Sequence, residues 1–302
     1  MESLLGTAAE SCETISIEPD VAVFFDQDSN TFSYVVRDPQ SQACAVIDSV
    51  LDFDYPSASI SYSSADAIIE YIKDRDLQVE WHIETHVHAD HLSAGPYLQK
   101  QLGGKLAIGE HILTVQETFG KIFNEGSDCQ RNASQFDHLF KDGETYTVGK
   151  LQAKAIHTPG HTPACMVHVI GKSAFVGDTI FMPDSGTARA DFPGGSAKAL
   201  YQSAQKILQL SPDTNLYICH DYGGEGREVN YQTTVAEQRQ HNVHVGKAVT
   251  ENQFVALREK RDRSLSTPRL MIPAIQVNMR AGDFPKAQDN GVVYLKLPIN
   301  SL

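Results

Sequence analysis

The densest group of chemically capable side chains is the segment THVHADH at residues 85–91. Three histidines and one aspartate fall within six residues, directly after an apolar run that predicts a strand. Imidazole and carboxylate groups are ligands that zinc, iron and manganese accept, and a loop after a strand lets alternating side chains converge on one point. A solvent-exposed histidine-rich loop is the alternative, and it is disfavoured because matching motifs recur downstream.

Three shorter motifs follow along the chain. In HTPGHT at residues 157–162, the Pro-Gly turn allows a sharp reversal that aims His161 back toward the first segment. GDT at residues 177–179 places Asp178 after an apolar strand, and His220 stands at the end of another predicted strand. Taken singly, each motif has an ordinary explanation, as a strand cap, a turn aspartate or a structural histidine.

These motifs are predicted to lie where strands end. Apolar runs bounded by polar turns predict strands, and the turn at residues 27–30 predicts a hairpin. The predicted strands are Val21–Phe25, Thr31–Arg37, Ala43–Asp48, Val79–Glu84, Lys105–Ile108, Leu151–His157, Met166–Ile170, Ser173–Val176 and Leu216–Cys219. Helical spacing of apolar residues predicts helices at 64–73 (with Ser64 as N-cap), 92–102, 111–123, 196–210, 233–245 and 251–261. Residues 124–143 are polar and predict an irregular lid or surface excursion.

The chain of 302 residues has no internal repeat and no long linker, which favours one domain. We predict a catalytic domain over residues 1–250 and a C-terminal helical and extended segment, residues 251–302, packed on the same domain. A chain of this length can bury a large core, so a bound metal is expected to be functional and not structural.

Charge and cysteine content restrict the partners and the location. The net charge of −13 disfavours nucleic acid and anionic membrane surfaces, although a few local arginines could still attract an anionic small substrate. The five cysteines are scattered, without a CxxC pair, which favours a reducing compartment. The first residues lack a basic region, and no apolar stretch reaches the length of a membrane span. We therefore predict a cytoplasmic protein.

The order of the motifs resembles that of the metallo-β-lactamase superfamily. The series is HxHxDH, TPGHT, GDT and a histidine at a strand end. This resemblance implies an α/β fold, the four-layer αββα sandwich, with metal at the open edge of its two sheets. Loops at strand ends would then deliver all four groups, as in other folds whose loops carry function.

Within that superfamily, the chain resembles the persulfide dioxygenases of the bacterial β-lactamase-hydrolase-like type, which are related to the glyoxalase II hydrolases. The segments that carry this likeness are RADF at 189–192, HDY at 220–222, TVAEQR at 234–239 and NMRAG at 278–282. Ala190 departs from the usual threonine, and residues 283–302 have no counterpart in the mitochondrial members. Both departures bear on the shape of the substrate pocket.

The resemblance implies a set of iron ligands, His86, His161 and Asp178. Two histidines and one carboxylate form the facial arrangement of non-haem Fe(II) oxygenases, so we expect one Fe(II) per chain. The family assigns supporting catalytic roles, holding the ligands and bound water, to the remaining groups, which are His88, Asp90, His91 and His220. In dinuclear hydrolases of the superfamily, equivalent residues complete two metal sites, so a second metal stays open.

The activity implied by the resemblance is oxidation of glutathione persulfide by O₂ to sulfite and glutathione, a step of sulfide detoxification. Arg189 is the first candidate for pairing with a glutathione carboxylate, because a guanidinium offers two parallel hydrogen bonds. Tyr222, Arg227 and His244 are further candidates for the substrate site. For the arginines, surface solvation or an ion pair such as Arg189 with Asp191 is the alternative.

Two other functions stay open. A dinuclear glyoxalase II-like thioesterase or lactone hydrolase would use a metal-bound hydroxide to attack a carbonyl. A non-enzymatic sensor of metal or persulfide is disfavoured, because a sensor needs no open coordination position. The sequence leaves a homodimer open as the assembly. Metal content discriminates between the two enzymes, since the dioxygenase needs one iron and the hydrolase two metal ions.

Overall fold

The computed structural model describes residues 17–126, 129–224, 226–247 and 249–300. Cys12 and the first residues of the chain, which entered the prediction of location, lie outside these ranges. The strands are β1 Asp20–Asp26, β2 Thr31–Arg37, β3 Ala43–Ile47, β4 Val50–Asp54, β5 Ser59–Ser61, β6 Gln78–Ile83, β7 Leu92–Ser93, β8 Lys105–Gly109, β9 His138–Phe140, β10 Thr145–Val148, β11 Leu151–His157, β12 Met166–Ile170, β13 Ser173–Phe175, β14 Asn215–Tyr217 and β15 Gln232–Thr234. The helices are α1 Ser63–Lys73, α2 Gly95–Leu102, α3 Ile112–Ile122, α4 Ala197–Leu208, α5 Val235–His241, α6 Glu251–Asp262 and α7 Met271–Asn278.

Two six-stranded sheets and one small sheet organise the described residues. The first sheet has the order β1-β2-β3-β6-β8-β9, and its strands from β3 onward run parallel to one another. The second has the order β10-β11-β12-β13-β14-β15, in which only β13 and β14 pair in parallel. The small sheet has the order β5-β4-β7. The predicted hairpin of β1 and β2 is confirmed, with Asp26 opposite Thr31.

Side chains that alternate along β2 separate two hydrophobic clusters. Tyr34 and Val36 belong to the core that joins the two large sheets, whereas Val35 packs in the cluster of α1, α2 and α7. This follows from the period of two residues in a strand. On the other side, Leu200 of α4 and Phe254 of α6 pack against the second sheet. Helix, sheet, sheet and helix therefore form the four-layer sandwich that was predicted.

Residues 251–300 pack on the rest of the chain through two helices. Helix α6 lies against α4, and α7 lies against β7. The extended tail returns to α7, where the Gln276 side chain bonds to the backbone N–H and carbonyl of Lys296. No helix in the described ranges is both long and apolar enough to cross a membrane.

Some predicted elements were wrong at their ends. Residues 92–93 form β7, antiparallel to β4, and the helix expected from residue 92 begins only at Gly95. Pro96 follows in its first turn, where a missing N–H breaks no helical hydrogen bond. Ser64 is not the N-cap of α1, since Tyr62 holds that position and Ser64 donates to the carboxylate of Asp52. The stretch 124–143, expected to be irregular, contains β9, which extends the first sheet.

Candidate metal centre

The chemically capable residues meet at one edge of the sandwich, because each follows a strand that ends there. The loop 84–91 follows β6, His161 follows β11, Asp178 follows β13 and His220 follows β14. The two large sheets also join here. The Phe32 N–H donates to the Cys219 carbonyl at 2.8 Å, and Thr31 and His220 form an isolated β-bridge.

The predicted iron ligands form one buried cluster. Nε2 of His161 lies 3.5 Å from Oδ2 of Asp178, and Nε2 of His86 lies 3.8 Å from the same oxygen. One potential ligand atom from each residue lies within 4.8 Å of the other two. Two histidines and one carboxylate thus converge, as a facial metal site requires.

A second set of ligand-type groups adjoins the first across Asp178. Nε2 of His220 lies 3.3 Å from Oδ1 of Asp178 and 3.4 Å from Oδ2 of Asp90. Nδ1 of His91 lies 3.3 Å from that oxygen of Asp90. Asp178 therefore stands between two groups of histidines, as a carboxylate shared by two metal ions would.

Several polar atoms of these clusters are buried without a hydrogen-bond partner in the described part of the chain. They are Nε2 of His86, Nε2 of His91, Nε2 of His220 and Oδ1 of Asp178. Buried polar atoms normally have partners, and leaving them unpaired is costly. Burial, together with His88 and His161, lowers the pKa of His86 well below its ordinary value, so the imidazole is neutral and able to bind a cation. The residues present thus fit a metal ion.

The Nδ1 atoms of the ligand histidines, which point away from the metal site, are held by neighbouring groups of the protein. Nδ1 of His86 lies 3.0 Å from Oγ1 of Thr85, and Nδ1 of His161 lies 2.8 Å from the Arg189 carbonyl. Such contacts set the orientation of a ligand ring and leave its Nε2 for the metal. Gly177 completes this packing, because its φ of +48° suits glycine and an added Cβ would lie 2.6 Å from Oγ1 of Thr85.

His88 differs from these ligands because its Nε2 is engaged with carboxylates. It lies 2.9 Å from Oδ1 of Asp48 and 3.4 Å from Oε2 of Glu84. Burial lowers the pKa of His88, but the Asp48 carboxylate, together with Cys219 and Glu84, outweighs burial and raises the pKa well above its ordinary value. Nδ1 of His88 has no partner among the described residues. His88 therefore fastens the loop to Asp48, with one nitrogen left toward the site.

A cavity of about 790 Å³ opens over the metal centre. His161, Asp178, Asp90 and His220 lie at its floor, and Phe181 forms part of its wall. A cavity of this size and mixed polarity suits a small-molecule ligand. Of the four predicted substrate residues, two line this cavity, and they are Arg189 and Tyr222. Tyr222 is 61% exposed and therefore lies at its mouth.

The other two predicted substrate residues do not line the cavity. Arg227 forms ion pairs with Asp184 and Asp221 through both ends of its guanidinium. His244 is buried, and its Nδ1 accepts a hydrogen bond from the Thr187 N–H at 3.1 Å. Both residues thus brace the loops around the cavity from behind.

Arg189 is also engaged within the protein. Its guanidinium donates to both carboxylate oxygens of Asp191, at 2.6 and 2.8 Å, and to the Ser266 carbonyl at 2.7 Å. The ion pair with Asp191, considered from the sequence as the alternative, is therefore present. Substrate contact by Arg189 stays a prediction, and it would have to use the N–H groups that these three bonds leave over.

Three residues that hold the centre together were missed from the sequence. Asp48 accepts hydrogen bonds from the Thr85 N–H and hydroxyl, and its position at the end of β3 was the available signal. Oγ1 of Thr31 lies 3.2 Å from Oδ2 of Asp90 and 3.3 Å from Nδ1 of His220. No motif marked Thr31, since both of these residues lie far from it along the chain.

Asn278 is the third, and it clamps the ligand loop. Its Nδ2 donates to the carbonyls of His88 and His91 at 2.9 and 2.8 Å. Its Oδ1 accepts from the Ser93 N–H at 2.8 Å. The segment NMRAG, noted in the sequence only as a mark of resemblance, thus connects α7 with the loop that carries the histidines.

The chain belongs to the metallo-β-lactamase superfamily, whose family model matches residues 27–220. Membership in this superfamily, together with the buried histidine and aspartate clusters, indicates an enzyme that works with a bound metal.

Individual relatives carry several names. A probable metallo-hydrolase of Burkholderia pseudomallei is 51% identical over 92% of this chain and 98% of its own length. Glyoxylase B2 of Dictyostelium discoideum is 46% identical over 95% of this chain and 99% of its own length. The mitochondrial persulfide dioxygenase ETHE1 of Homo sapiens is 29% identical over 85% of this chain and 87% of its own length. The crystal structure of ETHE1 from Myxococcus xanthus superposes with a TM-score of 0.71 at 26% identity, covering 87% of this chain and 100% of that one.

Proposed function

We propose that this protein is a persulfide dioxygenase that uses one Fe(II) to oxidise glutathione persulfide with O₂. The observation that carries the proposal is the buried cluster of His86, His161 and Asp178, of which His161 and Asp178 lie on the floor of a cavity of about 790 Å³. Two histidines and one carboxylate leave coordination positions open for other ligands. The similarity to proteins named persulfide dioxygenase or ETHE1 over most of the chain supports the same assignment.

The proposed reaction balances without a further reductant. The terminal sulfur of the persulfide loses four electrons to one O₂, whose two oxygen atoms end on that sulfur. Water supplies the third oxygen, the sulfur–sulfur bond breaks, and the products are bisulfite, glutathione and a proton. Fe(II), when bound, supplies the redox step that Zn²⁺ cannot provide.

The residues of this chain would hold and orient the reacting groups. His86 and His161 are fixed through their outer nitrogens, so their Nε2 atoms need little reorganisation. His220 Nε2, between the carboxylates of Asp90 and Asp178, can hold the proton of the water that releases sulfite. Phe181 and Phe192 supply apolar wall that limits water in the cavity.

A dinuclear hydrolase is the second candidate, and one observation favours it. His91 and His220 each keep a buried Nε2 without a partner in the described residues, next to Asp90. These are the groups that would complete a second metal site. Glyoxylase B2 and the probable metallo-hydrolase bear names that agree with this alternative.

The test is metal analysis combined with two assays on the same protein, purified without O₂ and loaded with iron. The proposal expects about one iron per chain, O₂ consumption with glutathione persulfide and release of sulfite. Two metal ions per chain, with hydrolysis of a glutathione thioester and no O₂ uptake, would replace it with the hydrolase.

A further inference from the structure

The charged residues of the cavity are almost all neutralised by partners. Apart from the carboxylates at the metal centre, the charged residues that line it are Asp184, Arg189, Arg258 and Arg261. Asp184 pairs with Arg227 behind the wall, and Arg189 pairs with Asp191.

Arg258 is likewise committed to the fold. It is 2% exposed, and its Nε donates to Oδ1 of Asp262 at 2.7 Å. A second nitrogen donates to the Thr187 carbonyl at 3.2 Å, which ties α6 to the loop that follows Asp178. Helix α6 is therefore a fixed platform at the rim of the cavity.

Arg261, one turn further along α6, is the exception. It lines the cavity and is exposed, and no carboxylate or carbonyl of the residues the structure describes bonds to its guanidinium. In a protein with a net charge of −13, an arginine in this cavity that has no acidic partner is a local positive charge that could attract an anion. A guanidinium offers paired donors that match a carboxylate.

We propose that Arg261 binds a carboxylate of the thiol carrier and so selects carriers that bear one, such as γ-glutamyl tripeptides. The inference rests on the proposed function in taking a thiol persulfide as substrate. It transfers the anion-binding role from Arg189 and Arg227, whose charges are neutralised by aspartates, to a residue of the C-terminal segment. Binding would neutralise the free guanidinium without breaking any bond within the protein.

The experiment measures binding of glutathione, the product, to iron-loaded protein by calorimetry without O₂. Arg261→Ala should raise the Kd by about 10–100-fold, the effect of losing one charge-assisted contact. Arg261→Lys should restore part of the lost affinity. A glutathione diester, whose carboxylates are blocked, should bind wild type and Arg261→Ala alike. Arg263→Ala is the matched control, since Arg263 lies two residues away and does not line this cavity.

Each outcome is decisive. Unchanged glutathione affinity in Arg261→Ala, or an equal loss in Arg263→Ala, overturns the assignment, and in the second case general electrostatics explains the result. Weakened binding of glutathione but not of its diester supports it. Because binding is measured apart from turnover, failure of the dioxygenase activity would show separately, as absence of O₂ consumption by wild type.

Discussion

At the scale of single residues, the role of each histidine follows from what its two nitrogens touch. His86 and His161 give Nδ1 to Thr85 and to a backbone carbonyl, which leaves Nε2 for a metal. His88 gives Nε2 to Asp48 and keeps Nδ1 unpaired among the described residues. A histidine thus serves as a metal ligand or as a hydrogen-bonding support of the loop, depending on its neighbours. Sequence spacing alone does not separate these two roles.

We expect His161→Ala to remove a ligand and His88→Ala to remove mainly a fastening. His161→Ala should lose nearly all iron, whereas His88→Ala should keep most of it but turn over more slowly and melt at a lower temperature. The melting temperature falls because Asp48 loses a buried partner. Elemental analysis after gel filtration measures the iron. If His88→Ala loses metal as fully as His161→Ala, then Nδ1 of His88 is also a ligand.

His244 should make the protein sensitive to acid. Burial lowers its pKa to about 4, helped by Arg258 and Arg261 and opposed by Asp262, and its Nδ1 must stay unprotonated to accept from Thr187. Between pH 6.5 and 4 the unfolded chain therefore binds a proton that the folded chain refuses, so stability falls as the pH falls. At pH 5 the loss is up to about 2 kcal/mol.

The measurement compares the free energies of unfolding of wild type and His244→Gln at pH 7 and pH 5. Loss of metal in acid affects both proteins, so the difference between the two isolates His244. His168, whose pKa burial also lowers to about 4, remains in both and cancels as well. Equal acid sensitivity of the two proteins would contradict the prediction.

At the scale of elements, the sequence predicted the strands and helices that show a clear apolar period. It missed elements whose position depends on packing against distant parts of the chain. Strands such as β2, β11 and β12 have the predicted ends, because their apolar runs stop at polar turns. Helix α7 was not predicted. It is buried on nearly all sides, so its sequence shows no alternation of an apolar and a polar face, and Pro273 argues against a helix. His86, His161 and Asp178 were named through the resemblance, which rests on motifs that each follow a strand.

Helix α7 should position the ligand loop through Asn278. Asn278→Ala removes two donors to the carbonyls of His88 and His91, so the loop loosens. We expect iron to bind about tenfold more weakly, which is the lower end of the usual loss when a residue that supports metal ligands is removed. The d–d absorption spectrum of the cobalt-loaded protein should also change.

Gln276→Ala is the matched control for that variant. Gln276 lies on the same helix, is 1% exposed, and bonds by its amide to the backbone of Lys296 in the tail instead of the ligand loop. It should lower the melting temperature comparably while iron affinity and the cobalt spectrum stay as in wild type. Identical metal binding in Asn278→Ala and Gln276→Ala would refute a positioning role.

At the scale of the whole molecule, the centre joins parts of the chain that are far apart in sequence. The first sheet supplies the loop with His86, the second supplies His161, Asp178 and His220, and the C-terminal segment supplies Asn278. The order of motifs predicted this convergence. The sequence offered an ion pair of Arg189 with Asp191 as one alternative but could not decide it, and it did not name the aspartate partners of Arg227, because an unpaired and a paired arginine look alike in sequence.

A metal that joins both sheets should stabilise the entire fold. In its absence, the orphaned nitrogens of His86 and His220 and the oxygen of Asp178 remain buried without partners in the described residues. A metal at a free concentration 100 times its Kd adds about 2.7 kcal/mol, so its removal by a chelator should lower the melting temperature of this 302-residue chain by about 4 °C. His161→Ala, already metal-free, should show no such response to the chelator.

Reloading the stripped protein separates stability from chemistry. Fe(II), added without O₂, should restore the melting temperature and the consumption of O₂ with glutathione persulfide. Zn²⁺ accepts the same ligands, so it should restore the melting temperature, but it has no accessible redox step and should leave O₂ consumption at zero. Differential scanning calorimetry and an O₂ electrode on the same samples measure both. A melting temperature that does not change on chelation or reloading would show that His86, His161 and Asp178 hold no metal. O₂ consumption by the zinc-loaded protein would exclude the proposed role of iron.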